Sequence, residues 1–322
     1  MRITVDITVE TLGLAVDILS EASGLPKQRI KDAMAKGACW WTLKGKIVRL
    51  RKAKRDVKAG TRMQLYYDEA VLARKAPEAE LLEDKSRYSV WFKPHGLLAQ
   101  GSQWGDHCSL LRVAEVQLNR PCFLIHRLDA DAAGLMLIAH DSKAAAALSQ
   151  LFAGRTIIKQ YLADVTGVLD VKEQTIDGNI DGKAAISHVS TLYINAGSIN
   201  TNALNSNSIN ASSINTSSIN TKAEDTEANT SRVNVRIETG RKHQIRRHLA
   251  SIGHPIVADR LYGSAAGVPL QLLAYYLQFN CPLAKSKMTL ELPERLKQLS
   301  LETLQKFPEG SSLRESADAK RS

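Results

Sequence analysis

Two alternating segments flank a low-complexity run, and together they limit the fold more than any other feature. AISHVSTLYI (185–194) and RVNVRIET (232–239) alternate apolar and polar residues, the pattern of half-buried strands. Between them, residues 196–230 repeat Ser-Ile-Asn at 198–200, 208–210, 213–215 and 218–220. Such a segment has too little apolar content to offset the entropy of ordering it. The repeat is also too short for a solenoid unit. A 35-residue loop is rare inside a compact domain but acceptable as an insertion at an exposed hairpin tip. The expectation is therefore two antiparallel strands joined across a disordered insertion. Strands joined by hairpins argue against a purely parallel nucleotide-binding sheet. The chain also has no GxGxxG and no GxxxxGK[ST]. The fold class expected is α+β, with a mixed, mainly antiparallel sheet.

Other elements are placed by periodicity and end signals. LAVDILSEASG (14–24) has helical spacing and ends in Gly24, and LPKQRIKDAMAKGA (25–38) reads as a second helix with Pro26 in its first turn. ACWWTLKGKIVRL and GTRMQLYYDE alternate as strands turned at Lys44-Gly45 and Ala59-Gly60. These make a compact α/β module over residues 1–70. Residues 71–87 read as a linker, and 88–308 as the larger domain. HDSKAAAALSQLFAGR (140–155), capped by Asp141 or Ser142, and KHQIRRHLASIG (242–253) are its helices. KQYLADVTG is a strand, and QLLAYYLQFNCPL is expected to be largely buried. The tail at 309–322 is expected to be disordered.

Charge points to a polyanion. The chain carries 43 Lys/Arg against 33 Asp/Glu, a net of +10. Residues 1–80 alone hold 16 Lys/Arg and 10 Asp/Glu. Lys27, Arg29, Lys31 and Lys36 lie on or beside the second helix, and Lys44, Lys46, Arg49, Arg51, Lys52, Lys54, Arg55 and Lys58 follow. A solvated surface is one reading; a platform for a phosphate backbone is the other. Cys39, Cys108, Cys122 and Cys281 form no CxxC pair and read as reduced structural thiols. The N-terminal stretch carries acids and lacks a secretory pattern, and no run of about 18 uncharged apolar residues occurs, so a cytoplasmic protein with no membrane partner is expected.

The stretch IHRLDADAAGLMLIAHD (125–141) concentrates polar groups around an apolar run. No HExxH is present, and no cysteine lies near a histidine pair, so no metal is expected. Asp129 precedes a turn at Ala130–Gly134 that feeds the strand LMLIA, which places it at the mouth of a sheet. A partly buried carboxylate needs a partner, and Arg246 and Arg247 are available. A structural ion pair and a catalytic pair are equally compatible with that arrangement.

HRLD at 126–129 with Gly134 and LMLIA resembles the catalytic motif of RluA-type pseudouridine synthases. WFKPHGLL (91–98), FAGRTIIKQYLADVTG (152–167) and TGRKHQIRRHLASIGHPIVADRLYG (239–263) resemble that family's other segments, in the family's order. The N-terminal module resembles the S4-type RNA-binding domain. The resemblance implies an enzyme that isomerises a uridine in RNA to pseudouridine without a cofactor. It implies catalytic roles for Asp129, Tyr161 and Arg246: the obligatory aspartate, the tyrosine on the base and the arginine paired to the aspartate. Asp129 attacks the ribose or assists cleavage through a glycal; both routes stay open. Arg127 is implied to hold the flipped-out RNA; on charge and position, Lys27, Arg29, Lys31, Arg241, Lys242 and His243 are expected to contact RNA. The S4-like module favours ribosomal RNA, with tRNA as the alternative.

Three departures stand out. The family usually has Thr-Ser where this chain has Ala132-Ala133, Leu-His-Ala where it has Leu272-Leu273-Ala274, and Thr at Lys242. The missing hydroxyls support a competing reading, a ribosome-assembly or RNA-binding factor that has lost activity. Acid–base hydrolysis or elimination by Asp129 is a third, but it lacks a second carboxylate or a triad.

Overall fold

The structure, a computed structural model, describes residues 1–195 and 229–297. The first 72 residues build a four-stranded antiparallel sheet in the order β1-β6-β3-β4, covered by two helices. The strands are β1 (Arg2–Thr8), β3 (Cys39–Leu43), β4 (Lys46–Arg49) and β6 (Arg62–Asp68), with the short pair β2 (Gly13–Leu14) and β5 (Asp56–Val57) beside them. Helices α1 (Ala15–Ser23) and α2 (Lys27–Ala35) follow the expected spacing, and α1 ends where Gly24 takes a φ of +69°. A short α3 (Glu69–Leu72) closes the module. Val5, Leu19, Ile30, Met34 and Leu65 sit in its own apolar core. Strand β1 is an element missing from the expectation above; RITVDIT alternates, and its register runs from Arg2–Asp68 to Thr8–Arg62.

The remaining strands form one ten-stranded sheet. They are β7 (Glu80–Asp84), β8 (Tyr88–Lys93), β9 (Phe123–Leu124), β10 (Ala133–Ala139), β11 (Ile158–Thr166), β12 (Gln174–Ile180), β13 (Lys183–Asn195), β14 (Thr230–Ile237), β15 (Leu272–Cys281) and β16 (Ser286–Glu291). Their main order is β12-β13-β14-β11-β15-β10-β8-β7, with β16 on β15 and β9 on β10. Helices α4 (Leu110–Leu118), α5 (Ser142–Ala153) and α6 (Gln244–Ser251) complete the domain. Asp141 caps α5 by accepting the Ala144 N–H at 2.8 Å. A mixed α+β domain with a mainly antiparallel sheet is what the alternation requires. Between the named strands of this sheet the β10–β15 pairing is the parallel exception, and it spans only Ala133–Leu273 and Gly134–Ala274.

Three expectations need correcting. Residues 71–87 are not simply a linker: Glu80–Asp84 pairs with β8 at the sheet edge, so the large sheet starts earlier than Tyr88. The register shift between Leu81 and Glu83 breaks the alternation that would have revealed it. The second strand also starts inside the expected insertion: β13 and β14 pair out to Asn195–Thr230, so Thr230, taken as the last residue of the 196–230 segment, belongs to β14. This places the insertion on a hairpin, as expected; its disorder and that of the 309–322 tail fall outside the described residues.

The third concerns the basic platform. Arg49 and Arg51 both reach Asp106, which belongs to the loop before α4, with Arg49 Nε 3.1 Å from the carboxylate. The Asp106 N–H donates to Lys36 C=O at 2.9 Å, and Trp40 Nε1 donates to Gln103 C=O at 3.0 Å. Trp104 packs edge-on against Tyr66, with Arg2 over its ring. These two arginines therefore bind the module to the large domain instead of facing a polyanion.

Candidate active site

Asp129 sits in the coil between β9 and β10, at the mouth of the sheet. Its carboxylate is about one-third exposed. Its own C=O accepts the Ala132 N–H at 3.2 Å, which closes the turn into β10. The turn is held from below by Lys93, whose Nζ donates to the carbonyls of Ala132 (2.6 Å), Leu97 (2.8 Å), Pro94 (3.0 Å) and Ala130 (3.3 Å). One buried ammonium thus ties the Pro94–Leu97 turn to the Asp129 loop. Burial pushes the Lys93 ammonium down to about 7, against the opposing charges of Asp129 and Asp131.

Gly134 is required by close approach. Its φ is +132°, and an added Cβ would lie 2.2 Å from the Ala274 carbonyl oxygen. This is where β10 meets β15. Tyr161 lies at the same level, registered with Ala274 on β15 and Val235 on β14. Opposite the Gln160–Tyr161 step, β15 carries one extra residue, Tyr275, a bulge of the kind that re-aims side chains near sites. Burial pushes the Tyr161 phenol well above its ordinary range, and the nearby Asp129 charge pushes it further. Tyr161 is therefore a neutral aromatic within the electrostatic reach of Asp129.

Arg246 is buried on α6 and approaches Asp129 from the other side, with Nη1 3.7 Å from Oδ2. The expected Asp129 pairing is looser than a hydrogen bond. The bidentate partner of Arg246 is Asp259, with Nε and Nη2 each at 2.8 Å, and Asp259 is fully buried. Burial alone would raise the Asp259 carboxyl, but Arg246 and the Leu261 and Tyr262 amides outweigh it and hold it below its ordinary value. Asp131 lies 3.8 Å from Arg246 Nη1 and 3.3 Å from Arg260. The guanidinium is thus fixed by Asp259 and leaves one edge for the two loop carboxylates.

The other expected residues separate into groups. His243, at φ +54° before α6, has Nε2 3.8 Å from Asp129 and Nδ1 3.0 Å from the Tyr262 hydroxyl. Arg241 donates through Nε to Ala184 C=O at 3.1 Å, and Lys242 is exposed beside it. Gln244 anchors this turn: its carbonyl accepts Thr239 Oγ1 at 2.7 Å and the Arg241 N–H at 3.1 Å, and its amide donates to Ile186 C=O at 2.9 Å. Arg127 is exposed two residues before Asp129 and makes no ion pair among the described residues. Lys27, Arg29 and Lys31 lie on exposed positions of α2 in the small module; Lys27 pairs with Asp17 at 2.9 Å and Arg29 with Glu69 at 3.6 Å. His126 is a strut: Nε2 accepts the Leu137 N–H at 3.0 Å and the ring stacks on Phe152 at 4.2 Å. Burial pushes its imidazole down to about 3, so it is neutral.

Asp259, Lys93 and Gln244 were not singled out by sequence reasoning. All lie inside the motif-bearing segments, but nothing local marks a residue whose partner comes from another element. The departures also acquire a setting. Ala132 packs with Val165, Val235 and Leu249, and Ala133 with Leu135, Leu137 and Leu273. Ala133 and Leu273 are register partners across the parallel β10–β15 pair, so two polar-to-apolar departures face one another.

Residues 87–251 match the family described as RNA pseudouridylate synthase. An RNA pseudouridine synthase of Aquifex aeolicus is 29% identical over 282 residues, 76% of this chain and 79% of that protein. Ribosomal large subunit pseudouridine synthase D of Pseudomonas aeruginosa is 30% identical over 197 residues, 60% of this chain and 56% of that protein. tRNA pseudouridine synthase C of Pectobacterium carotovorum is 31% identical over 213 residues, 62% of this chain and 54% of that protein. The chain thus spans little more than half the length of the last two. A match over half of the chain, on the domain that holds the Asp129 loop, makes this protein a member of the RNA pseudouridylate synthase family of enzymes.

Proposed function

We propose that Asp129 is the catalytic carboxylate of an RluA-type enzyme that converts a uridine in RNA to pseudouridine. The observation that carries this is the convergence of three groups. Arg246 stands 3.7 Å from Asp129, and the neutral Tyr161 phenol feels the Asp129 charge. The reaction breaks the N1–C1′ bond of the uridine and forms C5–C1′. N1 gains a proton and C5 loses one, so the net change is an isomerisation. A uridine must leave its stack to be rearranged, and Tyr161 supplies an aromatic face for the freed base. Arg246, immobilised by Asp259, orients the Asp129 carboxylate toward the ribose without leaving that charge unpaired. Arg127 beside Asp129, His243 at 3.8 Å from it, and Arg241 and Lys242 in the same turn as His243 serve as RNA contacts. No cofactor is needed for this chemistry.

We read the N-terminal module as an S4-like RNA-binding domain whose exposed α2 residues Lys27, Arg29 and Lys31 grip phosphates. Ribosomal RNA is the substrate this favours, in keeping with the relative from Pseudomonas aeruginosa; the relative from Pectobacterium carotovorum keeps tRNA as the second substrate class. Among the described residues no helix is long and apolar enough to cross a membrane. A cytoplasmic location is part of the same reading. The alternative is an inactive RNA-binding or ribosome-assembly factor of the same fold; the burial of Ala132 and Ala133 in apolar clusters supports reading them as packing changes compatible with activity.

The test incubates purified protein with total cellular RNA and maps new pseudouridine, with Asp129→Asn in parallel. Sites formed by wild type and absent with the variant are expected. Wild-type protein inactive on both ribosomal and transfer RNA would sink the proposal.

A further inference from the structure

Two side chains from the start of α6 converge on one oxygen of Asp129. Arg246 Nη1 lies 3.7 Å from Oδ2, and His243 Nε2 lies 3.8 Å from it. The His243 side chain is only 11% exposed. On the far edge of its ring, Nδ1 is 3.0 Å from the Tyr262 hydroxyl, and the two rings meet edge-on at 5.7 Å. Tyr262 has the Arg246 guanidinium over its ring at 5.4 Å, and its N–H donates to Asp259 Oδ1 at 3.2 Å. The imidazole is thus clamped between Asp129 and a tyrosine that is itself tied to the buried Arg246–Asp259 pair.

The backbone is arranged to make this contact. His243 has a φ of +54°, in the left-handed region that a residue with a Cβ rarely adopts. Backbone of this kind persists where its surroundings over-determine it, and it clusters at functional sites. Here Gln244 fixes the turn through Thr239 Oγ1, the Arg241 N–H and the Ile186 C=O. The proton's place on the ring follows from charge. A neutral imidazole carries one N–H, and its other nitrogen accepts. With the proton on Nδ1, the Nε2 lone pair would face the Asp129 carboxylate. With the proton on Nε2, an N–H faces the carboxylate and Nδ1 accepts the Tyr262 O–H. A protonated ring keeps the same Nε2–H.

We propose that His243 is a positioning residue for Asp129: Tyr262 donates to Nδ1 and so holds the imidazole with its proton on Nε2, which engages Asp129 Oδ2 beside Arg246. A carboxylate met by two donors keeps one orientation, and long catalytic contacts commonly shorten when substrate binds. The inference rests on Asp129 being the catalytic carboxylate, and it gives His243 a task beyond touching RNA.

The experiment measures kcat and KM of the full chain on an RNA transcript bearing a site that wild type modifies. The variants are His243→Asn, His243→Gln, Tyr262→Phe and His243→Asn combined with Tyr262→Phe. Asparagine tolerates the left-handed backbone but stops short of Nε2, whereas glutamine places an amide N–H near that position. His243→Asn should lower kcat by about 10–100-fold with KM within about twofold of wild type, and His243→Gln should recover part of the loss. Tyr262→Phe should lower kcat about fivefold, the scale of one lost hydrogen bond. The double variant should be no slower than His243→Asn, because Tyr262 acts through His243. Additive losses would overturn the proposal. So would a raised KM with kcat unchanged, which is what an RNA contact alone produces. Nitrogen NMR of the wild-type imidazole reads the tautomer without substrate: the neutral ring should carry its proton on Nε2, and a proton on Nδ1 would also overturn the proposal. That readout does not depend on turnover. A wild type that forms no pseudouridine therefore sinks the isomerase reading, while the tautomer still judges the His243 contact.

Discussion

Replacing Asp259 by Asn tests the central electrostatic claim, that Arg246 is fixed by Asp259 and not by Asp129. Arg246 is 1% exposed and Asp259 is fully buried, with two hydrogen bonds of 2.8 Å between them. Asparagine keeps the shape but removes the charge, and an amide replaces one of the two acceptors. Breaking a buried pair from one side costs about 3–5 kcal/mol, because the other charge is left uncompensated. The 3.7 Å and 3.8 Å contacts of Arg246 with Asp129 and Asp131 offset part of this, so the lower end, about 3 kcal/mol, is expected. In a domain of this size that corresponds to a fall in Tm of roughly 6–12 °C. Urea unfolding of Asp259→Asn against wild type reads the difference directly. Activity should fall as well, since the guanidinium can swing toward the loop carboxylates and disturb Asp129. A variant within about 0.5 kcal/mol of wild type would refute the reasoning, since that is the scale of an ordinary surface change. The same pair predicts a pH effect. The Asp259 carboxyl is held below its ordinary value, so its stabilisation is present above the unfolded carboxylate range and is lost as pH falls through the depressed folded value.

The two facing departures can be tested by a double-mutant cycle. Ala133→Ser buries a hydroxyl beside Leu273, and Leu273→His buries an imidazole beside Ala133; each alone should destabilise by about 1–3 kcal/mol. Together the two polar groups can bond each other, giving a favourable coupling of about 0.5–3 kcal/mol, and strictly additive costs would show that the positions do not communicate. His126 supplies a second pH test. Its folded value is pushed down to about 3, below the unfolded value near 6.5, so stability falls as pH drops from about 6.5 toward 3. His126→Phe should flatten that part of the stability profile while lowering stability at neutral pH, because the Leu137 N–H loses its acceptor; an unchanged slope would place the titration elsewhere.

Much of this protein is written locally. The alternation of 185–194 and 232–239 is a record of which face of a strand is buried, and the structure pairs those strands across the insertion. Gly24 marked the end of α1, and Asp141 marked the start of α5. HRLD, KQYLA and HQIR located the loop, strand and helix on which Asp129, Tyr161 and Arg246 stand. What the sequence leaves undecided is which distant groups meet. The order β11-β15-β10 brings Tyr161, Ala274 and Gly134 to one level, and that order depends on strands more than a hundred residues apart. Asp259 became the partner of Arg246 because the chain after α6 folds back beneath it, a matter of packing that no spacing rule contains. The same holds for Lys93: in sequence it is one lysine before a proline turn, and only the tertiary structure decides that four carbonyls converge on it, because hydrogen bonding depends on what surrounds a group in space and not on its neighbours along the chain.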